Sequence, residues 1–175
     1  MLESVVRAPQ ARGIPCLSLN LNLETILTPA FGSFVQALEK GQKVIVEVTA
    51  ADLLTNIGMY IDIRNVMASM GHAILIDGLT TTTIEMLDVA AMKPDYVKIV
   101  WAPELLDTSN TKSLANTSAM IAEIGADKTI LSRCESAAAL AWGLKTGICV
   151  FQGHFLDAFS KGRRRPAQAA PAAGA

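Results

Sequence analysis

Four polar side chains lie near the C-terminal ends of apolar runs: Glu47 in KVIVEVT, Asp77 in HAILIDG, Lys98 in YVKIVW and Gln152 in CVFQG. With the two-residue period of a strand, Val44, Val46 and Val48 face one side of the first run, and Ile45, Glu47 and Thr49 face the other. A carboxylate on the inner face of a strand is costly unless a partner meets it. An inward pair between Lys98 and Asp77 would satisfy two charges, and Glu47 has Asn20, Thr49 and Lys98 as candidate partners. One polar group per strand, always late in the strand, describes the mouth of a parallel barrel, the end where such barrels carry their chemistry.

Strand and helix patterns alternate along the chain. Residues 2–12 read as the end of a helix closed by Gly13 and Pro15. CLSLNLN, from Cys16 to Asn22, alternates with Leu17, Leu19 and Leu21 outward and Ser18, Asn20 and Asn22 inward. Pro29 opens a helix to about Lys40, and one long helix, capped by Thr49 or Asp52, runs to about Met70. Strands are expected over 72–79, 96–101, 128–134 and 148–155. The helices between them end at Lys93 and Pro94, Gly125 and Gly147. The fold class is therefore α/β, a TIM-type (β/α) barrel with about six of its eight strands. No GxGxxG follows the first strand, which argues against a dinucleotide-binding open sheet. Residues 1–157 form the barrel domain, and 158–175, rich in Ala, Pro and Arg, read as a disordered tail.

The totals narrow the classes. A 175-residue chain that is 51% hydrophobic has ample material for one core. With a net charge of −1 and 18% charged residues, it offers no nucleic-acid or polybasic membrane surface, so no DNA partner is expected. No apolar run reaches the length of a membrane span, and the N-terminus lacks a signal-peptide core. Cys16, Cys134 and Cys149 show no metal or disulfide spacing and read as buried thiols in a cytoplasmic protein.

In order, SLNLN, VEVTA, ILIDG, DYVKIV, SRCES and FQGHFL resemble the NLS, ExT, DDFG, DxxKID, AEGVET and QGY motifs of the EAL family, the cyclic-di-GMP phosphodiesterases. The resemblance implies a TIM-type barrel whose C-terminal rim binds one or two Mg²⁺ or Mn²⁺ ions and the dinucleotide. Carried over position by position, Asn20, Glu47 and Asp77 fall on metal ligands. Lys98 falls on the lysine that orients or activates the attacking water, Glu135 on the last acid of AEGVET, and Gln152 on the glutamine near the floor of the site. Such oxygen ligands suit hard divalent ions, which bring water and phosphodiester into line.

The departures fall on the same chemistry. The EAL-bearing strand, with its metal-binding glutamate and phosphate-binding arginine, would precede residue 1, as would the strand before it. The second aspartate of DDFG is Gly78, the glutamate and glycine of AEG are Ser132 and Arg133, and the FGTGYSSL loop is replaced by LTTTTIEM at residues 79–86. Too few acids remain to compensate two cations, so the expectation is a vestigial site with no resident cofactor, or Mg²⁺ or Mn²⁺ where some binding persists. Three readings stay open. One is a regulatory and protein-interaction scaffold, another a cyclic-di-GMP receptor without turnover, and the third a phosphodiesterase completed by the missing segment. Open barrel edges predict a homo- or hetero-oligomer.

Residue types alone also admit plainer roles. Glu135 precedes a helix and suits its positive end. Gln152 reads as a core amide, His72 and His154 as structural or exposed. Trp101 and Trp142 read as packing residues, with Trp101 close enough to the rim to stack on a base.

Overall fold

The computed structural model describes residues 15–156; the helix end expected over 2–12 and the tail over 158–175 lie outside them. Six strands form one all-parallel sheet in the order β1 to β6: β1 Cys16–Asn20, β2 Lys43–Thr49, β3 Ala73–Leu79, β4 Tyr96–Val100, β5 Thr129–Ser132 and β6 Val150–Phe151. Each pairs only with its sequence neighbours. Parallel neighbours require a crossover, and helices supply it: α1 Leu23–Ile26, α2 Pro29–Gln36, α3 Ala50–Thr55, α4 Ile57–Ser69, α5 Thr81–Met86, α6 Thr111–Ile124 and α7 Ala137–Lys145. The sheet curls into an incomplete α/β barrel, in keeping with the expected fold class.

The core lies between the outer face of the sheet and the helices. Val44, Val46, Val48, Ile74, Ile76, Val97, Ile99 and Leu131 face outward and are buried with Phe34, Leu53, Tyr60, Ile63, Met67, Ile121 and Ala139. The inner face is covered less well: Ile45, Ala73, Tyr96 and Ile130 are half-buried and Val150 is 45% exposed. In a closed eight-stranded barrel, side chains from opposite strands fill that space. Among the described residues six strands leave it open to one side.

Several boundaries differ from the pattern-based reading. The long helix after β2 is two helices, because Asn56 at φ −155° and ψ 76° leaves helical geometry and its side chain accepts the Met59 N–H at 3.0 Å, capping α4. The end of CLSLNLN leaves the strand after Asn20, and Asn22 caps α1. The helix from Pro29 stops at Gln36, and the one after β3 occupies Thr81–Met86, where Thr80 and Thr83 form a reciprocal capping box that accounts for the threonine run. β5 and β6 are shorter than expected. Only Cys134 is a buried thiol; Cys16 and Cys149 are exposed, because both stand beside strand ends.

Candidate functional site

The rim at the C-terminal ends of the strands gathers the predicted residues into one pocket of about 640 Å³. Asn20 comes from β1, Glu47 and Thr49 from β2, Asp77 and Gly78 from β3, Lys98 and Val100 from β4. Ser132, Arg133 and Glu135 follow along β5 and its exit, and Gln152, Gly153 and His154 close the far side. All six candidates, Asn20, Glu47, Asp77, Lys98, Glu135 and Gln152, line it. A βα unit sends each strand's last inward side chain to this end, which is why one polar residue per strand converges here.

At its centre lies a charge cluster. Lys98 is 7% exposed, and its Nζ donates to Glu47 Oε2 at 2.6 Å and to Asp77 Oδ2 at 3.4 Å. Ser18 Oγ donates to the other oxygen of Glu47 at 2.5 Å. Thr49 makes no hydrogen bond to the acids among the described residues; its hydroxyl accepts the Asp52 N–H and caps α3. Burial pushes the Glu47 carboxyl upward, yet the hydrogen bonds from Lys98 and Ser18 and the lysine's charge outweigh it, leaving Glu47 below the usual carboxylate range.

Local backbone places these groups. β3 pairs with β4 at Ile76 and Val97, then again at Leu79 and Ile99, so Asp77 and Gly78 oppose Lys98 alone. This bulge needs Gly78 at φ 78°, and Asp77 Oδ1 accepts the Gly78 N–H at 2.6 Å. The position where the EAL motif carries a second aspartate is therefore left-handed as well as uncharged. On the far side, the Cys134 N–H donates to the Gln152 carbonyl at 3.0 Å. Gly153 permits this approach: a Cβ there would lie 2.4 Å from Cys134 backbone atoms.

The remaining lining residues are less committed. Asn20, Arg133, Glu135 and Gln152 are exposed to the pocket, and the side chains of Arg133 and Glu135 make no hydrogen bond or ion pair among the described residues. Arg133 holds a left-handed backbone at φ 56°. It and His154 are rim residues that motif reasoning did not assign as site residues; the only signal was their position one residue after a strand end or two after Gln152. Trp101 does not line the pocket and packs on Trp142 with ring centroids 6.0 Å apart. His72 sits at the opposite end of β3, its Nδ1 accepting the Val44 N–H at 3.4 Å.

The donor set does not fit a divalent-metal centre. Among the described residues no group of three or more His, Cys, Asp and Glu side chains is placed to hold a metal. The two acids that point into the rim from β2 and β3 are already bridged by an ammonium group. What the arrangement offers is a charge-compensated cluster in a pocket whose lining also includes the Arg133 guanidinium and the Glu135 carboxylate, both without a partner among the described residues.

No protein-family model matches the chain. No curated protein matches it either. Solved structures do. A Vibrio cholerae LapD S helix-GGDEF-EAL structure bound to c-di-GMP is similar with a TM-score of 0.69 and 22% identity, over 89% of this chain and 40% of that one. Bacillus subtilis YkuI, with an EAL domain in complex with substrate c-di-GMP and calcium, gives 0.65 and 21% over 89% and 39%. The FimX EAL domain from Pseudomonas aeruginosa bound to c-di-GMP gives 0.57 and 16% over 89% and 64%. The chain thus has the fold of these EAL domains, and it spans about two fifths of the LapD and YkuI chains.

Proposed function

We propose that this chain is a catalytically degenerate EAL domain that acts in bacterial cyclic-di-GMP signalling as a regulatory, protein-interaction scaffold rather than as a hydrolase. The observation that carries the reading is the Lys98 ammonium held between Glu47 and Asp77, in a rim where, among the described residues, no group of three or more His, Cys, Asp and Glu side chains is placed to hold a metal. Two divalent ions side by side need several anionic ligands to offset their mutual repulsion. Removing one well-placed stabilising group from an active site costs ~10²- to 10³-fold in rate, so several departures together bring hydrolysis to background. Purified protein in Mn²⁺ is expected to leave cyclic-di-GMP unconverted; appearance of the linear dinucleotide above the buffer rate refutes the reading.

A second reading, a receptor that binds cyclic-di-GMP without turnover, is favoured by the pocket itself. Its size of about 640 Å³ falls in the range of small-molecule sites, and Asn20, Arg133, Glu135 and Gln152 face it exposed. Calorimetry separates the two: heat at micromolar cyclic-di-GMP selects the receptor, silence the scaffold. An active phosphodiesterase would need further acids brought to the rim.

The setting we propose is cytoplasmic; among the described residues no helix is long and apolar enough to cross a membrane. A homo- or hetero-oligomer built across β1 and β6, the edge strands of the described sheet, belongs to the same reading.

A further inference from the structure

We infer that His72 is a proton-operated clasp, which joins the end of α4 to the start of β2 while its imidazole is neutral and lets go when the ring is protonated. The clasp lies at the N-terminal ends of the strands, away from the rim, and does not depend on what the rim binds. It starts from one backbone N–H. Neighbouring N–H groups along a strand point to opposite sides, and Lys43 gives its own to the Pro15 carbonyl on the β1 side at 2.9 Å. The Val44 N–H therefore points toward β3. Pairing of β2 with β3 begins only at Ile45 and Ala73, and the group that meets the Val44 N–H is His72 Nδ1 at 3.4 Å. Val44 is 0% exposed, so water does not stand in for that acceptor.

The turn before β3 holds the imidazole in place. α4 closes with the Gly71 N–H donating to the Ala68 carbonyl at 3.1 Å and the His72 N–H to the Met67 carbonyl at 2.9 Å, a Schellman arrangement with Gly71 at φ 74°. The main chain of His72 thus ends α4, while its side chain reaches the first buried residue of β2. A neutral imidazole that accepts at Nδ1 carries its proton on Nε2. The imidazolium has a proton on both nitrogens, so Nδ1 changes from acceptor to donor and the Val44 N–H loses its partner.

Burial, with the Lys43 charge on β2 adding to it, holds the imidazole below 6.5. Two further charged groups at this end of the sheet are engaged with other atoms. Asp95, ahead of β4, accepts the Ile74 N–H at 2.9 Å, and Arg64 on α4 donates to the Lys93 carbonyl at 3.5 Å and to Asn65 Oδ1 at 2.7 Å. Because the folded ring takes its proton at lower pH than an unfolded one, the clasp is fully closed above 6.5 and opens as the pH falls through the folded value.

Nitrogen NMR and amide hydrogen exchange on the full chain, from about pH 8 to about pH 4.5, test this. At the alkaline end His72 is expected as the Nε2–H tautomer with the Val44 amide protected. As the ring protonates, the protection factor of Val44 should fall about tenfold or more with the midpoint of the ring, while that of Val46, the next N–H on the β3 side, stays within about threefold. His72→Asn places a non-titrating oxygen near the position of Nδ1 and should keep Val44 protected throughout; His72→Leu should lack that protection at every pH. An Nδ1–H tautomer, an unprotected Val44 at the alkaline end, protection that ignores the ring's protonation, a fall shared equally by Val46, or a pH-dependent loss that persists in His72→Asn overturns the inference. All but the last are read on the parent chain, so the test stands even where a variant fails to fold.

Discussion

Replacing Lys98 with methionine keeps most of the stem's volume and deletes the charge between Glu47 and Asp77. At 4 Å two unit charges near a protein surface attract by about 4 kcal/mol, so the 2.6 Å contact to Glu47 corresponds to a gross attraction of about 6 kcal/mol. Much of that offsets the cost of drawing both groups from water, and breaking such a buried pair costs about 3–5 kcal/mol in practice. The Lys98 and Glu47 side chains are 9% and 12% exposed, but Asp77, at 29%, keeps part of its hydration. We therefore expect Lys98→Met to lose about 2–4 kcal/mol of unfolding free energy at neutral pH.

The pH dependence supplies a second signature. Because Glu47 is held below 4.5 in the folded chain, its contribution is complete above that value and is lost as the pH falls through the lower folded one. In Lys98→Met the buried carboxylate has lost its partner and protonates more readily, so acid relieves the variant while it weakens the parent. Urea unfolding followed by tryptophan fluorescence, run at several pH values from 7 down to 4, should show a gap that narrows. A loss under about 0.5 kcal/mol at neutral pH, within the scatter of ordinary surface substitutions, or a gap independent of pH, refutes the reasoning.

Two further expectations concern the core. The Tyr60 hydroxyl is fully buried without a hydrogen-bond partner among the described residues, and burial pushes the phenol far above its ordinary range. Tyr60→Phe deletes an unsatisfied polar group and should raise stability by about 1 kcal/mol or more, read as a higher melting temperature; a lower one would reveal a partner for the hydroxyl. Burial also raises the Cys134 thiol, against a smaller opposing hydrogen bond from the Gln152 backbone, whereas Cys16 and Cys149 are exposed. A thiol-specific chromogenic reagent should therefore titrate two cysteines in the native chain and the third only in denaturant.

The strands and their mouth were legible in the sequence because two physical rules are strict. Side chains alternate across a strand, and a parallel βα unit always delivers the same strand end to the same rim. Glu47, Asp77, Lys98 and Gln152 could be placed from those rules alone. The pairs themselves follow from the residue types, since Lys98 meets both acids; their order does not, because the shorter contact is to Glu47, two strands away, rather than to Asp77. Curvature brings alternate strands together on the inside of the sheet, and the bulge at Asp77 and Gly78 displaces the nearer carboxylate; neither has a one-residue signature. Asn56 was hidden for a related reason: both flanking helices carry apolar residues at helical spacing, so periodicity runs through a break that only the cap geometry reveals. Arg133 shows its left-handed backbone only in three dimensions.

The sheet's order, with every strand beside its immediate predecessor, bears on how the chain is made. Among the described strands no pairing waits for a distant segment, so each of β2 to β6 finds its template already laid down one unit earlier. Synthesis and folding can advance together from Cys16 onward, one βα unit at a time, with the loop-closure entropy of each step kept to that of a single crossover. The charge cluster is then assembled late: Lys98 arrives after both carboxylates and joins two strands that have already met.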